Sequence, residues 1–350
     1  MSTAEVSMSH AQRDRLEDET PIEQLAEATL SDGRVLTLRL AVEADAPGIV
    51  DVVHAAFRAR RPVEPPPTAL LESAETIAAT VSEGEAVVAV LDGRIVGTIM
   101  IDYSNSQLPP GEPAAALLER VSTDPATQGL GIASLMVGVT MNLLAMRGVT
   151  SACLFVRREF PEIRHWWERH EFVFASSFEN SWFLRRPVPV LAVAPDADAM
   201  RTLGRALASV LAPGDLIVAS GDLGAGKTTL TQGIGEGLGV EGPITSPTFV
   251  LARVHKSLVD GPALVHADAY RLGGFAELED LDLEESLADS VTLIEWGAGV
   301  SEALSPGHLD IQIVRGLDPS DETRWVFFTP VGERWQDAPL AAALTPVEAS

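Results

Sequence analysis

The run Ser220-Gly221-Asp222-Leu223-Gly224-Ala225-Gly226-Lys227-Thr228-Thr229 carries residue types that do chemistry at this spacing. It reads glycine, four residues, then Gly-Lys-Thr. An apolar run, Leu216 to Ala219, precedes it, and a helical pattern marked by Leu230, Ile234 and Leu238 follows. The glycines let successive backbone N–H groups turn inward around phosphates, and the helix behind them adds its positive N-terminal end. Lys227 supplies a point charge, and the Thr228 hydroxyl can ligate Mg2+. The chain has two lysines, Lys227 and Lys256, among 25 basic residues. It keeps one of them where a compact ammonium suits phosphate better than a planar guanidinium. The expected ligand of residues 221–229 is a nucleotide.

Further along come Ser246-Pro247-Thr248-Phe249, then an apolar run from Ala263 ending in His266-Ala267-Asp268-Ala269-Tyr270-Arg271, then the buried-strand pattern Val291-Thr292-Leu293-Ile294-Glu295-Trp296. In an open α/β sheet the C-terminal ends of the strands line the nucleotide crevice, so Asp268 and Glu295 are expected to face the phosphates and the metal. Asp268 suits Mg2+ held through water, and Glu295 suits the metal or the attacking water. Trp296 either stacks on a base or fills the rim of the core. In this order and spacing the four motifs resemble the TsaE (YjeE) family over roughly residues 190–330. The resemblance implies the ATPase component of tRNA N6-threonylcarbamoyladenosine biosynthesis, acting with TsaB- and TsaD-like partners that hold the tRNA. It implies ATP and Mg2+ as cofactors, Lys227, Thr248, Asp268 and Glu295 as catalytic, and Thr228, Asp268 and Glu295 on the metal. Thr248 would then lie in a loop that senses the γ-phosphate. It also implies residues 221–229 and Trp296 on ATP. The competing reading is a P-loop kinase for a small molecule, which needs an acceptor base and an arginine-rich lid. The stretch after Asp268 is acidic instead, with seven acids and no base from Glu277 to Asp289. That run reads as a solvated helix with its leucines inward or as a docking face for a basic partner.

The N-terminal half has a second anion-binding candidate. A strand from Leu117 to Asp124 leads into Gln128-Gly129-Leu130-Gly131-Ile132-Ala133, and a helix with Leu135, Met136, Val139, Leu143 and Leu144 follows. Free N–H groups and a helix dipole converge there. Upstream, a strand near Leu36 to Leu40, helices over 44–60 and 74–82, and strands 86–91 and 95–101 joined at Asp92-Gly93 complete the pattern. Downstream lie a strand at 151–156, a helix at 161–169 and a strand at 172–176. This order, with Gln128, Gly131 and Ala133 on the acetyl-CoA loop pattern, resembles the GNAT N-acetyltransferase family. The resemblance implies acetyl-CoA on residues 128–133, an amine substrate not identified by the sequence, and a splayed strand around Leu118 to Ser122. Trp167 stands where that family has a general-acid Tyr, and an indole N–H cannot serve as one. The role is therefore missing or moved to His165 or His170, which otherwise read as a solvated helix face. The half is thus a working acetyltransferase or a module that binds acyl-CoA or a partner without turnover.

The fold class expected is α/β throughout: a GNAT-like mixed sheet with helices, then a P-loop NTPase sandwich. The boundaries expected are an acidic disordered tail over 1–33, the GNAT-like domain over 34–187, the ATPase domain over 188–332, and a flexible tail over 333–350. With 350 residues, 46% apolar content and 21% charged, the chain has the length and apolar content for two cores. A net charge of −25 opposes direct binding to nucleic acid, so any tRNA role is expected to be indirect. One cysteine, Cys153, sits in an apolar run and reads as core filler. No apolar run of membrane-spanning length or basic-then-apolar leader is present in the sequence, so a cytoplasmic protein without membrane contact is expected.

Overall fold

A computed structural model describes residues 24–247, 252–269, 287–296, 305, 307–316, 321–335 and 338–344. The chain divides between Val188 and Pro189 into two units, each with its own sheet.

In the first unit the strands are β1 (Gln24–Thr29), β2 (Val35–Leu40), β3 (Glu85–Leu91), β4 (Arg94–Asp102), β5 (Ala116–Thr123), β6 (Ser151–Arg157), β7 (Val173–Phe178) and β8 (Ser181–Pro187). They lie in the order β1-β2-β3-β4-β5-β6-β8-β7. Helices α1 (Ala46–Arg58), α2 (Ala74–Glu83), α3 (Ile132–Met146) and α4 (Pro161–Glu168) complete the unit. The β3–β4 hairpin turns at Asp92 and Gly93, both at positive φ, as a two-residue hairpin turn requires. Strand alternation sends Leu36, Leu38, Val87 and Ile99 to one face and Val88 and Met100 to the other. Helix α3 covers the first face, and α1 and α2 the second.

Strand β5 pairs with β6 in parallel only at Ala116 with Ala152 and Leu117 with Cys153, after which the two diverge. Within the diverging stretch Arg120 takes a φ of 49° and the β4–β5 register shifts between Thr98 and Met100. The expected splay over Leu118 to Ser122 therefore has a local cause. Cys153 is fully buried, and burial pushes its thiol up to about 12, as core filler requires.

The second unit contains β9 (Val190–Ala194), β10 (Leu216–Ser220), β11 (Ala252–His255), β12 (Ala263–Asp268), β13 (Ser290–Glu295), β14 (His308–Arg315) and β15 (Arg324–Val331). Their order is β11-β12-β13-β10-β14-β15-β9. The central four are parallel, and the flanking strands are antiparallel. Helices α5 (Ala197–Ala208), α6 (Lys227–Leu238) and α7 (Leu340–Leu344) join the same core as Ile217, Leu293 and Ile311.

Both tails differ from expectation within the described residues. Residues 24–29 form an edge strand on β2, with Leu25 and Ala26 packed on the core and Leu30 buried. Ala, Leu and Glu there suit a helix, and pairing with the open edge of β2 overrides that preference. At the other end Trp335, Leu340 and Leu344 are buried, and Arg334 pairs with buried Asp215 at 2.9 Å. Leu340 and Leu344, four apart, share a helix face, which an Ala/Pro-rich composition hides. The expectations for residues 1–23 and 345–350, and for the acidic run from 277 to 286, lie outside the described residues.

Candidate functional site

Strand β10, buried from Leu216 to Ala219, ends at Ser220, and the chain turns through 221–226 into α6. At Gly221 φ is 142° and an added Cβ would meet the Ile313 carbonyl oxygen at 2.5 Å, so only glycine fits. Ala225 N–H donates to the Asp222 carbonyl at 3.0 Å and closes the turn, with the Ala225 side chain buried beneath it. The first-turn N–H groups of α6 lack intrahelical acceptors by construction and are available to an anion. Lys227 folds back over the loop. Its Nζ donates to the carbonyls of Gly221 at 2.8 Å and Asp222 at 3.1 Å and lies 3.9 Å from the Trp296 ring centroid. Burial lowers the lysine pKa, against the upward pull of Glu295, Asp268 and Asp222.

Parallel pairing of β12 and β13 sets Asp268 beside Glu295 at the ends of both strands. The period of two places Leu264, His266 and Asp268 on one face of β12. Glu295 Oε1 accepts two bonds, from Thr228 Oγ1 at 2.9 Å and from His266 Nε2 at 2.9 Å. Ser246 Oγ lies 3.5 Å from Asp268 Oδ2. Trp296 adopts a left-handed φ of 61°, rare for a bulky residue, and its N–H donates to the Ala219 carbonyl at 2.9 Å. That backbone bond ties Trp296 to the strand feeding the loop. Lys227, Thr228, Ser246, Asp268, Glu295 and Trp296 line one cavity of about 330 Å³ together with Leu223, Gly224, Gly226 and Thr229.

In the first unit, residues 128–131 run on the surface and α3 starts behind Gly131, whose φ is 75°. Nothing lies within 4 Å of a Cβ built at Gly129 or Gly131, so the loop is open around both glycines, while the Gln128 and Leu130 N–H groups donate to the carbonyls of Pro125 and Thr127. Ile132 is buried and anchors the loop from below, and Leu130 packs on the same core. Trp167 is 5% exposed, edge-on to Trp166 at 4.8 Å and Phe172 at 4.9 Å, which makes it a core residue. His165 points outward beside Glu168 at 3.8 Å. His170 instead reaches the start of α3. Its Nδ1 is 2.8 Å from the Trp166 carbonyl, which can only accept, so Nε2 receives the Ser134 hydroxyl at 2.9 Å. Burial lowers the His170 pKa.

Residues 194–323 match the family model "Threonylcarbamoyl adenosine biosynthesis protein TsaE", and residues 37–163 match the acetyltransferase (GNAT) domain model. A tRNA threonylcarbamoyladenosine biosynthesis protein TsaE from Streptomyces coelicolor is 60% identical over 144 residues, which is 41% of this chain and 97% of that relative. The chain belongs to the TsaE family. Its TsaE domain is also 38% identical over 138 residues to the protein of that name from Bacillus subtilis, spanning 39% of this chain and 82% of the relative. Among solved structures, Bacillus subtilis YdiB is 31% identical with a TM-score of 0.36, covering 45% of this chain and 93% of its own. The GNAT domain of S. lividans PAT is 20% identical with a TM-score of 0.39, covering 48% and 99%. The chain is thus a GNAT-like domain fused to a TsaE domain, α/β in both halves.

In the TsaE domain the residues expected to act together do meet: Lys227, Thr228, Asp268, Glu295 and Trp296 border one cavity. Thr248 lies outside the described residues. Sequence reasoning missed the bond from His266 to Glu295 and the Ser246 hydroxyl near Asp268. The signal for His266 was its place two residues before Asp268 on one strand, which forces both onto the same face. The residues fit a nucleoside triphosphate with Mg2+: a glycine cradle that no side chain can enter at Gly221, one ammonium, and hydroxyl and carboxylate oxygens of the hard kind this metal prefers. The 128–133 loop, open around Gly129 and Gly131 and followed by the first turn of α3, fits a pyrophosphate. Among the described residues, no helix is long and apolar enough to cross a membrane.

Proposed function

We propose that the TsaE domain binds and hydrolyses ATP with Mg2+ as the ATPase component of tRNA threonylcarbamoyladenosine biosynthesis, working in the cytoplasm with TsaB- and TsaD-like proteins. The observation that carries this reading is the convergence of Lys227, Thr228, Asp268 and Glu295 on one cavity, in a domain 60% identical to a TsaE over nearly all of that relative. The loop amides and Lys227 bind the phosphates. Thr228 and Asp268 hold the metal, which when bound neutralises phosphate charge. Glu295 binds the metal or orients water, and Trp296 closes the rim against a base. With a net charge of −25 the chain itself is poorly suited to grip RNA, which supports a subunit acting on partners that hold the tRNA.

The test is the threonylcarbamoyl content of bulk tRNA after depletion of the chain, with rescue by wild type and by Lys227→Ala. Loss of the modification restored by wild type alone is expected. Unchanged content in a cell with no other TsaE would overturn the assignment and favour a small-molecule kinase.

For the GNAT-like domain we propose acetyl-CoA binding on residues 128–133, with an amine as acceptor. Gly131→Glu should weaken acetyl-CoA binding by at least about tenfold, because a carboxylate then stands where the amides meet the pyrophosphate. The strain of a side chain at positive φ is of order 1 kcal/mol, so the fold should survive. Calorimetric titration with acetyl-CoA decides it, and equal affinity in wild type and variant would make the loop a plain turn.

A further inference from the structure

We infer that His266 is a positioning residue that sets the orientation of the Glu295 carboxylate, a role that rests on the ATPase reading of the cavity. The imidazole is 0% exposed and sits one pleat below Asp268 on β12. It reaches diagonally across the sheet, since His266 is level with Leu293 and Glu295 is two residues further on. Its Nε2 is 2.9 Å from Glu295 Oε1, the same oxygen that receives the Thr228 hydroxyl at 2.9 Å. A carboxylate oxygen only accepts, so Nε2 carries the proton. Two donors converging on Oε1, one from the neighbouring strand β12 and one from the first turn of α6, fix the carboxylate plane. Oε2 is left outside that clamp.

The other ring nitrogen argues that the imidazole serves this bond and not packing. His266 Nδ1 is buried and has no hydrogen-bond partner among the described residues. An unpaired buried nitrogen costs stability, and leucine would fill much the same space without it. What histidine adds over leucine at this position is the Nε2–H aimed at Glu295. Thr228 alone would hold Oε1 from one side, and the carboxylate would swing about that contact. The loss should fall on turnover. Among the described residues His266 hydrogen-bonds Glu295 and not the groups proposed to bind phosphate, Lys227 and the loop amides.

The experiment compares wild type, His266→Leu and His266→Gln in the full chain, with its TsaB- and TsaD-like partners, by steady-state ATP hydrolysis and by ATP titration. Supporting shells of this kind are worth about 10- to 100-fold, so His266→Leu should lose that much in kcat with KM and ATP affinity held within about twofold. His266→Gln, which can present an amide N–H to Glu295, should recover most of the rate. Equal loss in both variants, or a rise in KM at constant kcat, would mean that the histidine only supports the fold and would overturn the inference. Nitrogen-15 spectra of the imidazole give a readout independent of turnover. The proton should sit on Nε2 in wild type and redistribute between the nitrogens in Glu295→Ala, and a proton fixed on Nδ1 would also overturn it. A wild-type chain that hydrolyses no ATP would sink the ATPase reading, while the spectra would still decide whether the clamp on Glu295 exists.

Discussion

Lys227→Ala should lower kcat/KM for ATP by a factor on the order of 100 to 10,000. The estimate follows from two charge-assisted bonds to phosphate at about 1.5–3 kcal/mol each, with about 1.36 kcal/mol per decade of rate. Without ligand, Nζ is held by the carbonyls of Gly221 and Asp222 and by the face of Trp296, so the ammonium is already at the loop and need only exchange partners. Lys227→Arg should not rescue, because a planar fork cannot reproduce a point charge inside the turn. The fold should tolerate the change. Burial outweighs the three carboxylates and lowers the pKa, so the charged lysine weighs on the stability of the free protein. A lysine whose folded pKa lies below its unfolded value destabilises most below the folded pKa, and the effect fades as pH rises through it. Lys227→Ala is therefore expected to melt no lower than wild type at neutral pH and to lose any advantage in alkaline buffer. Calorimetry with ATP and thermal melts check both parts. Undiminished ATP affinity in a folded variant would mean that the amides alone hold the phosphates.

Much of this site was legible because its residues punctuate regular elements. The P-loop announces itself by glycines at fixed offsets, and Asp268 and Glu295 by standing at the ends of apolar runs. Residues at the ends of neighbouring parallel strands must be adjacent, as the Asp268–Glu295 register bears out. What sequence hid depends on tertiary pairing. The edge strand at 24–29 has helix-favouring composition and is fixed only by β2. The positive φ of Trp296 accompanies a backbone bond to Ala219 on another strand, which no local pattern encodes. Nothing in the helical spacing of His165 and His170 distinguishes them, yet one points outward and the other meets Ser134 at the start of α3.

Glu295→Ala and Glu295→Gln should both lower ATP turnover by about 100- to 1,000-fold while sparing ATP binding to within a few-fold, in the range typical of losing one group that stabilises developing charge. They should differ in stability. Alanine removes the acceptor for two donors, and His266 Nε2–H has no solvent to turn to at 0% exposure. Leaving it unpaired costs about 1–3 kcal/mol, which at about 2–4 °C per kcal/mol for a domain of this size lowers the melting temperature by about 2–12 °C. Glutamine keeps an oxygen at the same place and should melt close to wild type. If turnover depended only on an intact β12–β13 edge, activity would follow melting temperature and Glu295→Gln would be active. If it depends on the carboxylate charge facing the metal and water, both variants fail and only alanine is unstable. Single-turnover hydrolysis beside thermal melts separates the two, and normal hydrolysis by Glu295→Gln would remove Glu295 from the active site.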